Sequence, residues 1–294
     1  MGTISVDQVS EKKESRAKDY WDRIADRTKG EGDYQYGKKL VPFRNWIAEY
    51  ADAKAKEFVT TTFERSVALK GDCKILDVGC GPGKWSTLFS EMGFWTIGVD
   101  SSDKMIGLAE ESVGNRGARK ADFSVMDASL LGFRDATFDF VNCVTVLQHI
   151  LTQRSWKRAI EEIARVVKPG GYVLLYEIAP LFTLVKNTES LYVRTLREYT
   201  CEFARAGARL VLSVATDISF PLTVLGLRKF STSFNRNDAY FYWGKKRQVV
   251  SSAQVLSLIS KLVAKTARKI DYGLATTPLG IVSPTRILLF KKRG

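Results

Sequence analysis

The stretch Ile75-Leu-Asp-Val-Gly-Cys-Gly-Pro-Gly83 decides the fold. It ends a predicted strand, Lys74–Gly79, and its glycines run directly into Lys84–Met92, whose spacing predicts a helix. Glycines at such a turn let backbone N–H groups approach a ligand closely, with a helix N-terminus behind them. Asp100 closes the next predicted strand, Trp95–Asp100, 21 residues after Gly79. A carboxylate at that place can accept both hydroxyls of a ribose. Two nucleotide classes share this geometry. A dinucleotide loop spaces its glycines as G-x-G-x-x-G, but here the third glycine falls one position early. Asp77, two before the first glycine, would sit badly beside a pyrophosphate and suits a ligand with a cationic amine and a sulfonium. A tight strand–helix turn without a ligand is the third reading.

Outward from this loop, strands alternate with helices. Strands are expected at Ala121–Met126, Phe138–Val144, Tyr172–Ile178, Arg209–Val214 and Arg286–Lys291, and helices at Asp103–Val113, Arg154–Val167 and Thr188–Ala206. Lys168-Pro-Gly-Gly171 reads as a turn. Such alternation implies an α/β fold, a Rossmann-like, doubly wound, mostly parallel seven-stranded sheet covered on both faces. On the N-terminal side, Ala17–Lys29 and Phe43–Leu69 carry apolar residues at helical spacing, with Trp46, Ile47, Tyr50, Ala51, Phe58 and Phe63 as the buried stripe. The expected organisation is an arm and helical lid over 1–70, a core over 71–217, a basic and aromatic insertion over 218–284, and a last strand with a basic tail over 285–294.

The 294 residues carry 45 Lys and Arg against 32 Asp and Glu, a net charge of +13. The excess is local: residues 218–294 hold 14 basic and 2 acidic side chains. Beside the run Phe220–Leu227, the aromatic cluster Tyr240–Trp243 and the amphipathic stretch Ser251–Lys269, these charges suit three roles: a cap over the site, a contact with a membrane surface or lipid-linked acceptor, or a nucleic-acid contact by stacking and phosphate binding. The four cysteines form no C-x-x-C pair and there is one histidine, His149, so no metal site is expected. Free cysteines and a polar opening stretch point to a cytoplasmic protein, with peripheral membrane contact through 218–270 as the variant.

Five motifs in order resemble the class I S-adenosylmethionine-dependent methyltransferases, of the small-molecule type related to quinone, sterol and sugar methyltransferases. They are LDVGCGPG (76–83), GVDSSDKMI (98–106), MDA (126–128), FDFVNCVTVLQHI (138–150) and RVVKPGGYVLLYE (165–177); the resemblance covers about Tyr20 to Ala179. It implies S-adenosylmethionine as cofactor and a residue-by-residue assignment. Gly79, Cys80, Gly81 and Gly83 would line its methionine and ribose part, with Asp77 near the amino end. Asp100 would hold the ribose hydroxyls; Ser101 and Met105 would border the adenine; Asp127, with Ala128 beside it, would accept from the adenine amine. Cys143 and Val144 would pass under the methionine moiety, and Tyr20 would close over cofactor or acceptor.

Methyl transfer is an in-line displacement, so the enzyme must align three atoms and exclude water. A base is needed only when the acceptor loses a proton, and His149, just beyond the fourth predicted strand, is the candidate. Glu177, ending the fifth strand, is expected to open onto the same face. The resemblance to sugar O-methyltransferases that place a histidine and an acid at these positions implies an oxygen acceptor, small, lipid-linked or glycan. The alternatives are an enzyme that docks RNA or protein on its basic quarter, and a non-catalytic cofactor-binding subunit. Asn142-Cys-Val-Thr145 lacks the Asn/Asp-Pro-Pro-aromatic step usual for exocyclic amine methylation of bases.

Overall fold

The computed structural model describes residues 18–26, 55–57, 59–67, 69, 72–116, 120–182, 187, 188, 190–216, 232–234, 241–243 and 285–294. Helix α1 covers 18–26, and 55–57 with 59–66 form α2. Then follow β1 (Lys74–Val78), α3 (Lys84–Glu91), β2 (Trp95–Asp100), α4 (Asp103–Arg116), β3 (Ala121–Val125), β4 (Phe138–Val144), a 3₁₀ turn (Leu147–His149), α5 (Gln153–Val166), β5 (Val167–Ile178), α6 (Leu196–Arg205), β6 (Ala208–Ala215), β7 (Thr232–Phe234), β8 (Phe241–Trp243) and β9 (Thr285–Lys292). The expected stretches Phe220–Leu227 and Ser251–Lys269 and the stripe residues Trp46, Ile47, Tyr50, Ala51 and Phe58 lie outside the described residues. Among the described residues no helix is long and apolar enough to cross a membrane.

Seven strands form one sheet in the order β3-β2-β1-β4-β5-β9-β6, and β7 pairs with β8 separately. Neighbours from β3 through to β5 are parallel; β9 runs antiparallel to both β5 and β6. The strands are buried because both faces are covered. Val59 and Phe63 of α2 and Trp85 and Phe89 of α3 pack with Ile75, Phe140 and Leu289 on one face. Trp156, Ile160 and Ile163 of α5 and Tyr199 and Phe203 of α6 pack with Leu76, Val141, Val173 and Leu288 on the other. Chain order reverses between β1 and β4, and the crevice at their carboxyl ends is where open α/β sheets hold ligands.

Two local expectations are corrected. Lys168-Pro-Gly-Gly171 does not end a segment: β5 runs through it from Val167. Phe138 faces Val167 but Phe140 already faces Tyr172, so the four residues arch out as a bulge, with Gly170 at φ 80°. The helix expected from Thr188 starts only at Leu196. Thr195 stops it earlier by a capping box: its Oγ1 accepts the Glu198 N–H at 3.3 Å, and Glu198 accepts the Thr195 N–H at 2.7 Å. Thr195→Ala therefore lowers stability by about 1 kcal/mol, read as a shifted urea midpoint with an unchanged slope, whereas Thr195→Ser keeps the midpoint.

Candidate functional site

The glycine loop occupies the crevice. Gly79 sits at φ 65° and Gly81 at φ 52°, backbone that side-chain-bearing residues adopt at a cost of about 1–2 kcal/mol. Their surroundings differ. A Cβ on Gly79 would stand 2.3 Å from Val146 Cγ2, whereas one on Gly81 would meet nothing within 4 Å. The open side of Gly81 is a cradle. The Gly81 N–H donates to Asp100 Oδ2 at 3.0 Å and the Ser102 N–H to Oδ1 at 2.9 Å. These bonds fix the carboxylate at the end of β2, and its further lone pairs are available to hydroxyls. Burial pushes the Asp100 carboxyl above its ordinary range, with a smaller push from Asp22; the two N–H bonds pull it back.

Beneath the loop, Asp77 is sealed at 1% exposure. Ser86 Oγ donates to its Oδ2 at 2.6 Å and Asn142 Nδ2 to its Oδ1 at 2.8 Å. Its burial leaves little surface for direct contact with a ligand, so Asp77 bears on the loop first through its charge. Burial raises its pKa to about 6, against the two hydrogen bonds that lower it. The unfolded chain loses this proton near pH 3.9, so the contribution is full below about pH 4 and is lost as pH rises through about 6. Asn142 Oδ1, buried without a hydrogen-bond partner, could accept from an amide placed at position 77. Asp77→Asn is thus expected to melt no lower than the parent at pH 8 and to flatten the decline between pH 4 and 7. Thermal melts across pH check this; a variant destabilised at pH 8 would refute it.

Beyond β4 the chain turns at Thr145, φ 57°, into the 3₁₀ turn that carries His149. Here Glu177 departs from expectation. It does not open onto the acceptor face but is fully buried, accepting the N–H groups of Val146, Leu147 and Gln148 at 2.7, 2.9 and 3.1 Å. These are donors that a helical first turn leaves unpaired. Burial still carries its pKa up to about 7. His149 is half-buried. Its Nδ1 lies 2.7 Å from the Ser190 carbonyl and its Nε2 lies 3.4 Å from Gln148 Nε2. A carbonyl accepts only, so Nδ1 carries the proton, and Nε2 keeps its lone pair toward the Gln148 amide. Burial lowers the imidazole pKa below 6.5, opposed by the Ser190 carbonyl. The ring is therefore neutral at pH 7.

Helix α1 crosses the crevice. Lys18 pairs with Asp103 at 3.2 Å, Asp26 pairs with Lys104, and the Ser102 hydroxyl donates to Asp22. At its other side Trp21 meets His149 edge-on, ring centroids 5.0 Å apart; Tyr20 packs edge-on to Trp21 at 5.1 Å. The helix thus spans from the turn after Asp100 to the imidazole. Asp127 is exposed, its Oδ1 held by the Ser129 N–H and hydroxyl. Ser101, Ala128 and Val144 are half-buried. Cys80, Met105 and Cys143 are closed off from solvent, so the two thiols, both raised by burial, are packing groups. Trp21, Gln148 and Arg194 are the site residues that motif reading misses. Arg194 shows as a charge in the apolar run Leu191-Tyr-Val-Arg194, Gln148 lies inside the motif 138–150 and Trp21 in the apolar spacing of Ala17–Lys29, but none of these marks a site role.

Residues 75–171 match the sequence model of a methyltransferase domain. The chain is 34% identical over 139 residues to a tRNA (carboxymethyluridine(34)-5-O)-methyltransferase of Arabidopsis thaliana, covering 45% of this chain and 32% of that relative. It is 26% identical over 146 residues to a ubiquinone biosynthesis O-methyltransferase of Leptothrix cholodnii, covering 49% and 58%. The chain thus spans about a third of the first relative's length and over half of the second's. Magnesium protoporphyrin IX methyltransferase of Synechocystis PCC 6803, solved with bound S-adenosylmethionine, shares the fold over 99% of both chains, with a TM-score of 0.58 at 15% identity.

Proposed function

Since residues 75–171 form a methyltransferase domain of the class I S-adenosylmethionine-dependent type, we propose that this chain methylates an oxygen of a small, lipid-linked or glycan acceptor. The observation that carries this reading is the place of His149: its Nδ1 lies 2.7 Å from the Ser190 carbonyl, which leaves the proton off Nε2, and it stands three residues past the Val146 wall of the glycine loop. Two relatives named as O-methyltransferases support an oxygen acceptor.

The site fits the cofactor. The open side of Gly81 admits its backbone-hugging part, Asp100 matches a ribose diol, and the buried Asp77 charge favours a cation above the loop. When bound, S-adenosylmethionine supplies an electrophilic methyl whose carbon–sulfur electron pair leaves with the sulfur as the new oxygen–carbon bond forms. The chain's part is orientation and proton removal. Asp100 and the glycine loop hold the cofactor end, and α1 with Trp21 excludes water. His149 Nε2 takes the acceptor's hydroxyl proton once the 3.4 Å contact from the Gln148 amide gives way, while Nδ1–H stays bonded to Ser190. Aligning the reacting groups supplies most of the effect. Incubation with labelled S-adenosylmethionine and fractionated extract tests the proposal: label is expected in lipid or small-molecule fractions. No calorimetric binding of the cofactor would refute it.

A second reading is favoured by the relatives named as tRNA methyltransferases, 34–36% identical over about a third of this chain or more. Label would then enter RNA, and the 14 basic residues of 218–294 would serve as its docking surface. RNA affinity would fall steeply with salt; affinity flat with salt would exclude it.

A further inference from the structure

Two fully buried ionisable side chains, Glu177 and Arg194, grip the same turn, one by its N–H groups and the other by its carbonyls. Glu177 takes the N–H groups of Val146, Leu147 and Gln148. The Arg194 guanidinium donates to the carbonyls of Leu147 at 3.1 Å and Ile150 at 2.8 Å, with longer bonds to Thr152 and Tyr192 at 3.4 Å. Its plane lies between Trp156 and Tyr192, 4.5 Å from each ring centroid. Among the described residues Arg194 pairs with no carboxylate within 4 Å. The two charges meet through the backbone instead: Leu147 gives its N–H to the carboxylate and its C=O to the guanidinium.

Burying an ion costs several kcal/mol unless its hydrogen bonds are satisfied, and apolar replacements are often more stable. Such a pair is a poor device for stability and a good one for holding one geometry. What it holds is the surroundings of His149. The Nε2 contact comes from Gln148, whose own N–H lies on Glu177 and whose Oε1 accepts the Ile178 N–H at 3.0 Å. The Nδ1 contact comes from Ser190, on the segment that carries Arg194, and Tyr192 N–H donates to the Gln148 carbonyl at 2.8 Å.

We propose that Glu177 and Arg194 are paired positioning residues, a backbone-bridged clamp that fixes the ring orientation and the Nδ1–H tautomer of His149. The inference rests on the reading of His149 as the base, yet it can be judged without turnover. His149 is the only histidine in the chain, so the imidazole nitrogen signals of the tag-free 294-residue chain belong to it without assignment. In the parent they are expected to show one Nδ1–H tautomer and a pKa below 6.5. Arg194→Lys keeps the charge but loses the planar fork, and Glu177→Gln replaces one acceptor by a donor. Both are expected to mix the tautomers and let the pKa return toward 6.5, with cofactor Kd within about threefold of the parent. On whichever acceptor takes label, kcat is expected to fall about 10- to 100-fold, the scale of a displaced catalytic group. Added to His149→Ala, neither variant should lower turnover further. Cooperatively folded variants whose His149 signals match the parent, or whose losses multiply with that of His149→Ala, would overturn the clamp. If Arg194→Lys does not fold, Glu177→Gln decides the matter by the same signals. Unchanged turnover in His149→Ala would remove the base reading and leave the ring signals to decide the clamp.

Discussion

Gly79→Ala is expected to abolish measurable cofactor binding and to destabilise the fold, whereas Gly81→Ala is expected to lose binding with a far smaller loss of stability. Both glycines carry positive φ, so each substitution meets the same backbone penalty of about 1–2 kcal/mol. Space separates them. The new methyl at Gly79 would stand 2.3 and 2.8 Å from the two Val146 methyls, and overpacking of this kind costs about 1–3 kcal/mol more. Val146 has no easy retreat. Its side chain is β-branched and stiff, and its N–H is tied to Glu177 at 2.7 Å. The clash therefore passes into the turn that carries His149, so the imidazole signals are expected to shift as well. At Gly81 the methyl would project into open space, touching no protein atom but filling the cradle. Calorimetry with S-adenosylmethionine is expected to give at least about 30-fold weaker affinity, roughly 2 kcal/mol, with melting close to what backbone strain alone predicts. Parent-like affinity in Gly81→Ala would show that the cradle is not where the cofactor lies.

The loop was legible in the sequence because its logic is local. The order of strand, glycines, helix and a carboxylate 21 residues on is preserved in any fold that uses it, and Gly79, Gly81 and Asp100 meet as that order requires. Strand and helix alternation gave the sheet for the same reason: each segment buries a face that its own residues define. The interior partners of the site were not legible. Arg194 is 45 residues from His149, and Trp21 is 128 residues before it; only tertiary packing brings them together. Glu177 shows the limit most plainly. Its place at the end of β5 was readable, but whether its carboxylate faces an acceptor or the protein depends on how the chain closes after β4. Three N–H groups reach the carboxylate first. The bulge at Lys168–Gly171 is a similar case, since turn residues end a strand only where the neighbouring strand does not hold both sides of the arch.

His149→Ala is expected to lower kcat by about 10²- to 10⁴-fold, the range for loss of a general base, while cofactor Kd stays within about threefold. The split follows from the geometry. The imidazole touches Ser190, Gln148 and Trp21, whereas the proposed cofactor contacts are Asp100 and the glycine loop, so removing the ring leaves those in place. The pH profile gives an independent reading. Burial holds the imidazole below 6.5, and the proposed base would work only when neutral, so parent activity should be lost as pH falls through that lowered pKa. Glu177, raised to about 7, adds a second loss on the acid side, because a protonated carboxyl gives up acceptor capacity to the three N–H groups. In His149→Ala both acid limbs should vanish, because Glu177 bears on turnover only through the ring it positions. Exogenous imidazole, small enough for the space left beside Trp21, should restore part of the rate in its neutral form and none in its protonated form. A variant with parent kcat and an unchanged acid limb would show that the acceptor reaches the methyl group already deprotonated, and the proton would then need no acceptor from this chain.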